Sequence, residues 1–534
     1  MKHIAIFDSS LRDGAQAEGI HFSVDDKISI VKKLDALGVS YIEAGNPSSN
    51  PKDAEFFERV RLTPLKNAKL VAFGSTCRKG ALVHEDKGCL ALITADTEVI
   101  SIFGKSWDMH VREVLQTTME ENLRMISDTI AFFTSHGREV FFDAEHFFDG
   151  YRANPKYALQ TLQAAVDAGA STLVLCDTNG GSFPHEIAEV TKKVCSISNA
   201  AVGIHCHNDL GCAVASSIAA VRSGATQVQG TYLGFGERCG NANLSTIIPA
   251  LQMKLGYNCI PKESLEDITY TARYIAEVSN YILPASMPIV GKSAFTHKGG
   301  MHVDGVRKLS ASFESISPSA IGNTRHLLLS EVAGRSAIAA HLHELDPTIT
   351  RSSPITAEVL EALKELEHKG YQFESAQASL EIFLLKKLGK LAPFFTLESF
   401  RIIGEQSDGQ RQNSSAMIKV RVGEQTEITA AEGDGPVHAL DCALRKALEV
   451  FYPTLAHTRL IDFKVRVIEQ RAATASIVRV LIETTDGTSV WTTVGASADI
   501  IEASWNALVD SVEYKLLSDL RAGTLKMNPA KVQS

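Results

Sequence analysis

Long apolar runs are missing from this chain of 534 residues. No stretch of about 18 or more apolar residues occurs, so no membrane span is expected. The first ten residues, MKHIAIFDSS, pass straight into a strand-like run without the apolar segment of an export signal. Cysteine is sparse and odd in number: there are nine, none in a CxxC pair, which excludes a disulfide framework and points to reduced thiols in a cytosol. A basic excess is also absent. The formal net charge of −9 argues against general affinity for nucleic acid or anionic membranes. No GxGxxG follows the first strand-like run, so an open dinucleotide-binding sheet has little support. What these absences leave is a cytoplasmic globular protein, 45% hydrophobic and 22% charged, too long for one ordinary domain.

What is present is alternation. Short β-rich runs at residues 3–7, 41–44, 70–73, 99–103, 139–142, 172–176, 201–205 and 226–232 are separated by amphipathic stretches such as 24–37, 111–133, 157–167, 185–195 and 212–223. Strands alternating with helices imply parallel pairing through crossovers, and eight units in about 250 residues predict a closed (β/α)8 barrel, a TIM barrel, over residues 1–260. The open doubly wound sheet is the rival. Helical patterns and loops rich in Pro, Ser and Gly fill residues 261–395, a linker region. Residues 396–520 predict an α+β domain of two strand–turn–strand–helix units about 60 residues apart, the helix of the first opened by Gly433-Asp434-Gly435-Pro436, and 521–534 a frayed tail.

In such a barrel the functional groups gather at the C-terminal ends of the strands. After the first strand comes Arg12-Asp13-Gly14, where a carboxylate can ligate a hard cation and an arginine can polarise a carbonyl. At the end of the seventh, His205 and His207 lie two apart and so share a face, offering two nitrogens to one metal, while Cys206 points away into packing. Past the eighth, Gly234-Phe235-Gly236-Glu237-Arg238-Cys239-Gly240-Asn241 brings Asn241 beside them as a possible oxygen ligand. The set Asp13, His205, His207 and Asn241 mixes oxygen and nitrogen donors, which suits Mn, Mg, Co or Zn. Asp143 and Glu145 alternate onto one face of the fifth strand, as general base or substrate ligand. Thr178, after the sixth, can donate to a substrate carboxylate. Residues 291–302, with Lys292, His297, Lys298 and His302, can close over the mouth and bring basic groups to a thioester or CoA phosphate.

The set LRDG, HCHND, GxGERxGN, GKSAFxHKGGxH and GDGPV resembles the family of 2-isopropylmalate, citramalate and homocitrate synthases over almost the whole chain. The linker joins in through Gly322-Asn323, Ser330-Glu331 and Gly334-Arg335-Ser336. The resemblance implies a dimeric acyltransferase with a metal-binding barrel and a C-terminal domain that binds the end-product amino acid. The segments 48–53, 72–76 and Gly104-Lys105-Ser106-Trp107-Asp108 look like the citramalate branch, which condenses acetyl-CoA with pyruvate on a route to isoleucine; isoleucine is then the expected effector. By the same resemblance Asp13, His205, His207 and Asn241 hold the divalent metal, Arg12 polarises the 2-oxo carbonyl, Thr178 holds the substrate carboxylate, and Glu145 with His302 removes the acetyl methyl proton through water.

Two departures stand out. Phe313 replaces an expected tyrosine, and Asn46 stands where the citramalate branch tends to carry a bulky aromatic. Three alternatives remain beside the citramalate reading. One is a sister synthase taking 2-oxoisovalerate or 2-oxoglutarate, another a barrel lyase or aldolase, and the third a non-catalytic amino-acid-binding regulator.

Overall fold

The computed structural model describes residues 2–298, 300–327, 335–350, 352–405, 413–468 and 476–525. Gly299, the motif residues Ser330, Glu331 and Gly334, and the tail from Lys526 lie outside them. The described part forms two compact units, residues 1–296 with 314–326, and residues 297–313 with 327–534.

The first unit is built on eight parallel strands: β1 (Ala5–Asp8), β2 (Tyr41–Glu43), β3 (Lys69–Ser75), β4 (Val99–Lys105), β5 (Glu139–Glu145), β6 (Thr172–Asp177), β7 (Ala201–Cys206) and β8 (Gln227–Gly230). Each pairs with the next, and β8 returns to β1 through Ile6–Val228 and Phe7–Gln229, closing the barrel. The predicted (β/α)8 barrel is therefore present. Its helices start where the sequence offers caps. Ser23 accepts the Asp26 N–H and Asp26 returns a bond to Ser23, so Val24–Leu37 begins on a capping box.

One predicted helix is divided. Residues 111–133 hold a π-helical turn at His110–Val114, a left-handed Gln116 (φ 52°), and only then a helix, Met119–Ser135. Thr118 accepts the Glu121 N–H at 3.2 Å and so restarts the helix, which periodicity alone does not reveal.

Side chains two apart along a strand share a face, and the barrel interior changes character along that period. Phe7, Tyr41, Val71, Val99 and Phe141 pack together as an apolar floor, with the Tyr41 and Phe141 rings edge to face at 5.0 Å. Two residues further along the same strands stand Ser9, Glu43, Phe73, Ser101 and Asp143. The floor is dry and the layer above it is mostly polar.

In the second unit, helices Arg335–Leu345, Pro354–His368 and Gln377–Lys387 surround Leu342, Val359 and Leu380. Two repeats follow, and each has three strands rather than the predicted two. They are Thr396–Glu405, Asn413–Val422 and Gln425–Gly433 before helix Pro436–Glu449, and Arg459–Val467, Val478–Thr485 and Val490–Ser497 before helix Ile500–Arg521. The sequence reading missed the first strand of each because charged residues interrupt its apolar pattern, as in RLIDFKVRV, where outward positions stay exposed. Gly495 lies within the last strand, and Asp499 caps the helix that follows, its side chain accepting the Ile501 N–H. The repeat is also visible in packing. A methyl group on Gly433 would lie 2.4 Å from Ala439 N, and one on Gly495 2.0 Å from Ala503 O, so each helix closes on its strand at a glycine. Among the described residues no helix is long and apolar enough to cross a membrane.

Candidate active site

The mouth of the barrel opens into a cavity of about 620 Å³ lined by Arg12, Asp13, Asp143, Glu145, Thr178, His205 and His207, with aromatic walls from Phe73 and Phe103. All seven polar side chains sit on the strand ends or the turns just past them. Six of the predicted positions thus converge here with Arg12, and Asn241 adjoins them through a backbone bridge to His207.

Asp13, His205 and His207 are buried, and their nearest ligand atoms lie within 4.8 Å of one another. Nε2 of His205 is 3.4 Å and Nε2 of His207 3.8 Å from Asp13 Oδ2. Burial pushes His205 down to about 3 and lowers His207, which keeps both imidazoles neutral, the form that donates a lone pair. Burial alone would raise Asp13, but the Arg12 guanidinium beside it outweighs that and lowers its pKa below the usual range. Asn241 donates Nδ2–H to Phe235 O at 3.1 Å, and its Oδ1 is buried without a hydrogen-bond partner, as are Nδ1 of both histidines. A buried acceptor left unpaired is costly. A carboxylate and two neutral imidazoles within reach of one point, with an orphaned amide oxygen on the residue bridged to His207, fit a hard or borderline divalent cation.

Arg12 is fixed on three sides. Its Nε donates to Glu43 at 2.6 Å, Nη1 lies 3.4 Å from Asp13, and its guanidinium carbon sits 3.7 Å over the Phe73 ring. Burial opposes its charge, yet Glu43 and Asp13 outweigh that and raise its pKa, so it is permanently cationic. Glu43, also bonded by Ser9 Oγ, was missed in the sequence, although its place two residues after Tyr41 puts it on the inward face. Asp143 accepts from Gln229 at 3.2 Å, and burial with Glu43 nearby pushes it up to about 7.

The other predicted groups are more constrained than the sequence suggested. Thr178 Oγ1 accepts the His146 N–H at 2.9 Å, which leaves its own hydrogen to donate. Glu145 is ion-paired with Lys105, a residue inside the quoted GKSWD segment to which no role had been given. Cys206 packs in the layer between barrel and helices, as expected. Asn46 lines the cavity, its side chain engaged by Ser48. The 291–302 segment divides between the units; His302 lies in the second, on helix Gly300–Lys308, its ring stacked on Phe313 at 4.2 Å.

Residues 3–275 match the HMGL-like family profile, 289–371 that of the homocitrate synthase post-HMGL domain-like family, and 374–516 that of the LeuA allosteric (dimerisation) domain. An (R)-citramalate synthase of Aquifex aeolicus is 51% identical over 524 residues, covering 98% of this chain and 99% of that protein. An (R)-citramalate synthase of Geobacter sulfurreducens is 49% identical over 517 residues, covering 97% and 98%. A probable 2-isopropylmalate synthase of Methanopyrus kandleri is 32% identical over 511 residues, covering 95% and 97%. With identity near one half sustained from end to end, the chain belongs to the (R)-citramalate synthases, HMGL-like barrel enzymes that carry a LeuA allosteric domain.

Proposed function

We propose that this protein is an acyltransferase that condenses acetyl-CoA with pyruvate and water to give citramalate and CoA, a step toward isoleucine. The observation that carries this reading is the Asp13–His205–His207 triad, with the orphaned Asn241 Oδ1, beside a locked Arg12 in one cavity. Asp13, His205, His207 and Asn241 would hold a divalent cation (Mn, Mg, Co or Zn), which would supply Lewis acidity to the 2-oxo acid. Arg12 adds a fixed positive charge at the keto oxygen. Thr178 donates its free hydroxyl hydrogen to the substrate carboxylate. Asp143, raised to about 7, holds its proton through much of the neutral range and gives a substrate oxygen a hydrogen bond where an ionised group would repel it.

Glu145 takes a proton from the acetyl methyl group, and the C–H electron pair passes into an enolate that attacks the keto carbon. General-base steps of this kind contribute about 100- to 10,000-fold. Water then cleaves the thioester and releases CoA, which makes the sequence irreversible.

Regulation and assembly follow from the second unit. A cavity of about 470 Å³ is lined by Val437, His438, Leu460 and Phe463 with Arg459, and by Arg445 already ion-paired to Asp441 and bonded to Thr458, so Arg459 is the cation left for a branched amino acid's carboxylate beside an apolar wall. We assign isoleucine to it as effector, in a cytoplasmic homodimer whose nine cysteines are free.

The test is CoA release from acetyl-CoA with a panel of 2-oxo acids. Pyruvate should give the highest kcat/KM. One methylene in an apolar pocket is worth roughly 1–3 kcal/mol, so 2-oxobutyrate should follow closely and branched 2-oxoisovalerate fall well behind. A higher kcat/KM for 2-oxoisovalerate would move the protein to the isopropylmalate branch.

A further inference from the structure

The GKSWD segment, residues 104–108, has no part in the reaction as derived above, yet the fold wraps it around one dipeptide, Glu145-His146. Lys105, the last residue of β4, is ion-paired with the Glu145 carboxylate at the end of β5. The Ser106 N–H donates to the Glu145 carbonyl at 3.2 Å. The Trp107 ring lies 5.9 Å and the His110 ring 4.3 Å from that of His146. From β6, Thr178 takes the His146 N–H, and Asp149 faces His146 Nδ1 at 3.3 Å. His146 itself is left-handed, φ 55° and ψ 35°. A residue with a side chain enters that region only where its surroundings hold it there. The turn directly after Glu145 is therefore clamped from β4 and from β6.

Glu145 lines the cavity and Lys105 does not. We propose that Lys105 is a positioning residue for the condensation: its ammonium engages Oε2 and fixes the orientation of the Glu145 carboxylate, leaving Oε1 for the acetyl methyl proton. This rests on the reading of Glu145 as the base. The other titratable groups facing Glu145 do not supply the same charge. His110, from the segment after β4, is held toward neutrality by burial, and Cys176, on β6, is held as a thiol by burial. Asp143, His146 and Asp149 share its own strand and the turn beyond, and His146 is engaged with Asp149. Arg12 in the same cavity is committed to Glu43 and Asp13.

The experiment compares K105M, K105R, E145Q and K105M/E145Q in the full-length, metal-loaded enzyme. Without the ammonium the carboxylate is free to leave the orientation that presents Oε1, so the loss falls on the proton-transfer step rather than on binding. At pH 7, K105M should lose about 10-fold or more in kcat with KM for both substrates within about 3-fold, and the kinetic isotope effect with trideuterated acetyl-CoA should rise. K105R should restore most of the rate. In the E145Q background K105M should cost no more than about 2-fold, because its partner is already gone. Should K105M fail to fold, K105Q carries the same expectations. An equal fold-loss on the E145Q background, or a raised KM for acetyl-CoA at unchanged kcat, overturns the proposal. Wild-type kcat in E145Q would instead overturn the reading of Glu145 as base, a separate failure.

Discussion

Gly240 precedes the proposed ligand Asn241, and replacing it by alanine tests whether the loop after β8 sets the metal site. Its φ is +85°, and an added methyl would lie 2.0 Å from the Gly234 carbonyl oxygen. Ordinary contact begins near 3.4 Å, so the two must part by about 1.4 Å. That same oxygen accepts the Asn241 N–H at 3.1 Å, a bond the movement breaks. The left-handed conformation costs an alanine about 1–2 kcal/mol, overpacking about 1–3, and the lost hydrogen bond about 1. G240A should therefore destabilise the enzyme by about 3–6 kcal/mol. Gly211 is the control: its φ is +70°, but nothing lies within 4 Å of an added methyl, so G211A should cost about 1–2 kcal/mol. Unfolding of the two variants by denaturant, side by side, measures the difference. Chelator competition should show metal affinity down by about 10- to 100-fold in G240A, on the scale of lost ligand-orienting contacts, and near wild type in G211A. Equal stability and equal metal affinity in the two variants would refute the argument from the clash.

Three further outcomes are expected. Enzyme stripped with EDTA should lose activity and regain it with Mn, Mg or Co, and H207A should abolish the rescue; full activity in the stripped protein would sink the metal assignment. Asp8 is buried, with the Ser10 N–H and hydroxyl donating to it, and burial pushes it up to about 7, whereas an unfolded aspartate titrates near 3.9. Between those values the folded state holds the extra proton, so this group's contribution to stability falls as pH rises, by up to about 1.4 kcal/mol per unit, and D8N should flatten that component in denaturant titrations at pH 5, 6 and 7. Isoleucine should inhibit wild type, and R459A should raise the inhibitory concentration by about 5-fold or more with kcat unchanged; unaltered inhibition would place the effector elsewhere.

The sequence by itself determined the barrel, because alternation of apolar runs and amphipathic stretches is a local property that survives without coordinates. It also determined that Asp13, His205 and His207 belong together, since period-two spacing and position at strand ends fix which face a side chain takes. The tertiary structure decided what each group is free to do. Glu145 reads as a lone base until β4 brings Lys105 against it, and Thr178 reads as an unengaged hydroxyl until the left-handed turn at His146 claims its lone pair. Glu43 is one carboxylate among many in the sequence, and only barrel closure stacks it under Arg12. The first strand of each C-terminal repeat was invisible because its pairing partners are set by register across the sheet rather than by its own composition. Pattern along the chain fixes which way a side chain points. Its protonation, and which of its lone pairs or hydrogens are already taken, depend on neighbours more than 30 residues away, which only the folded chain supplies.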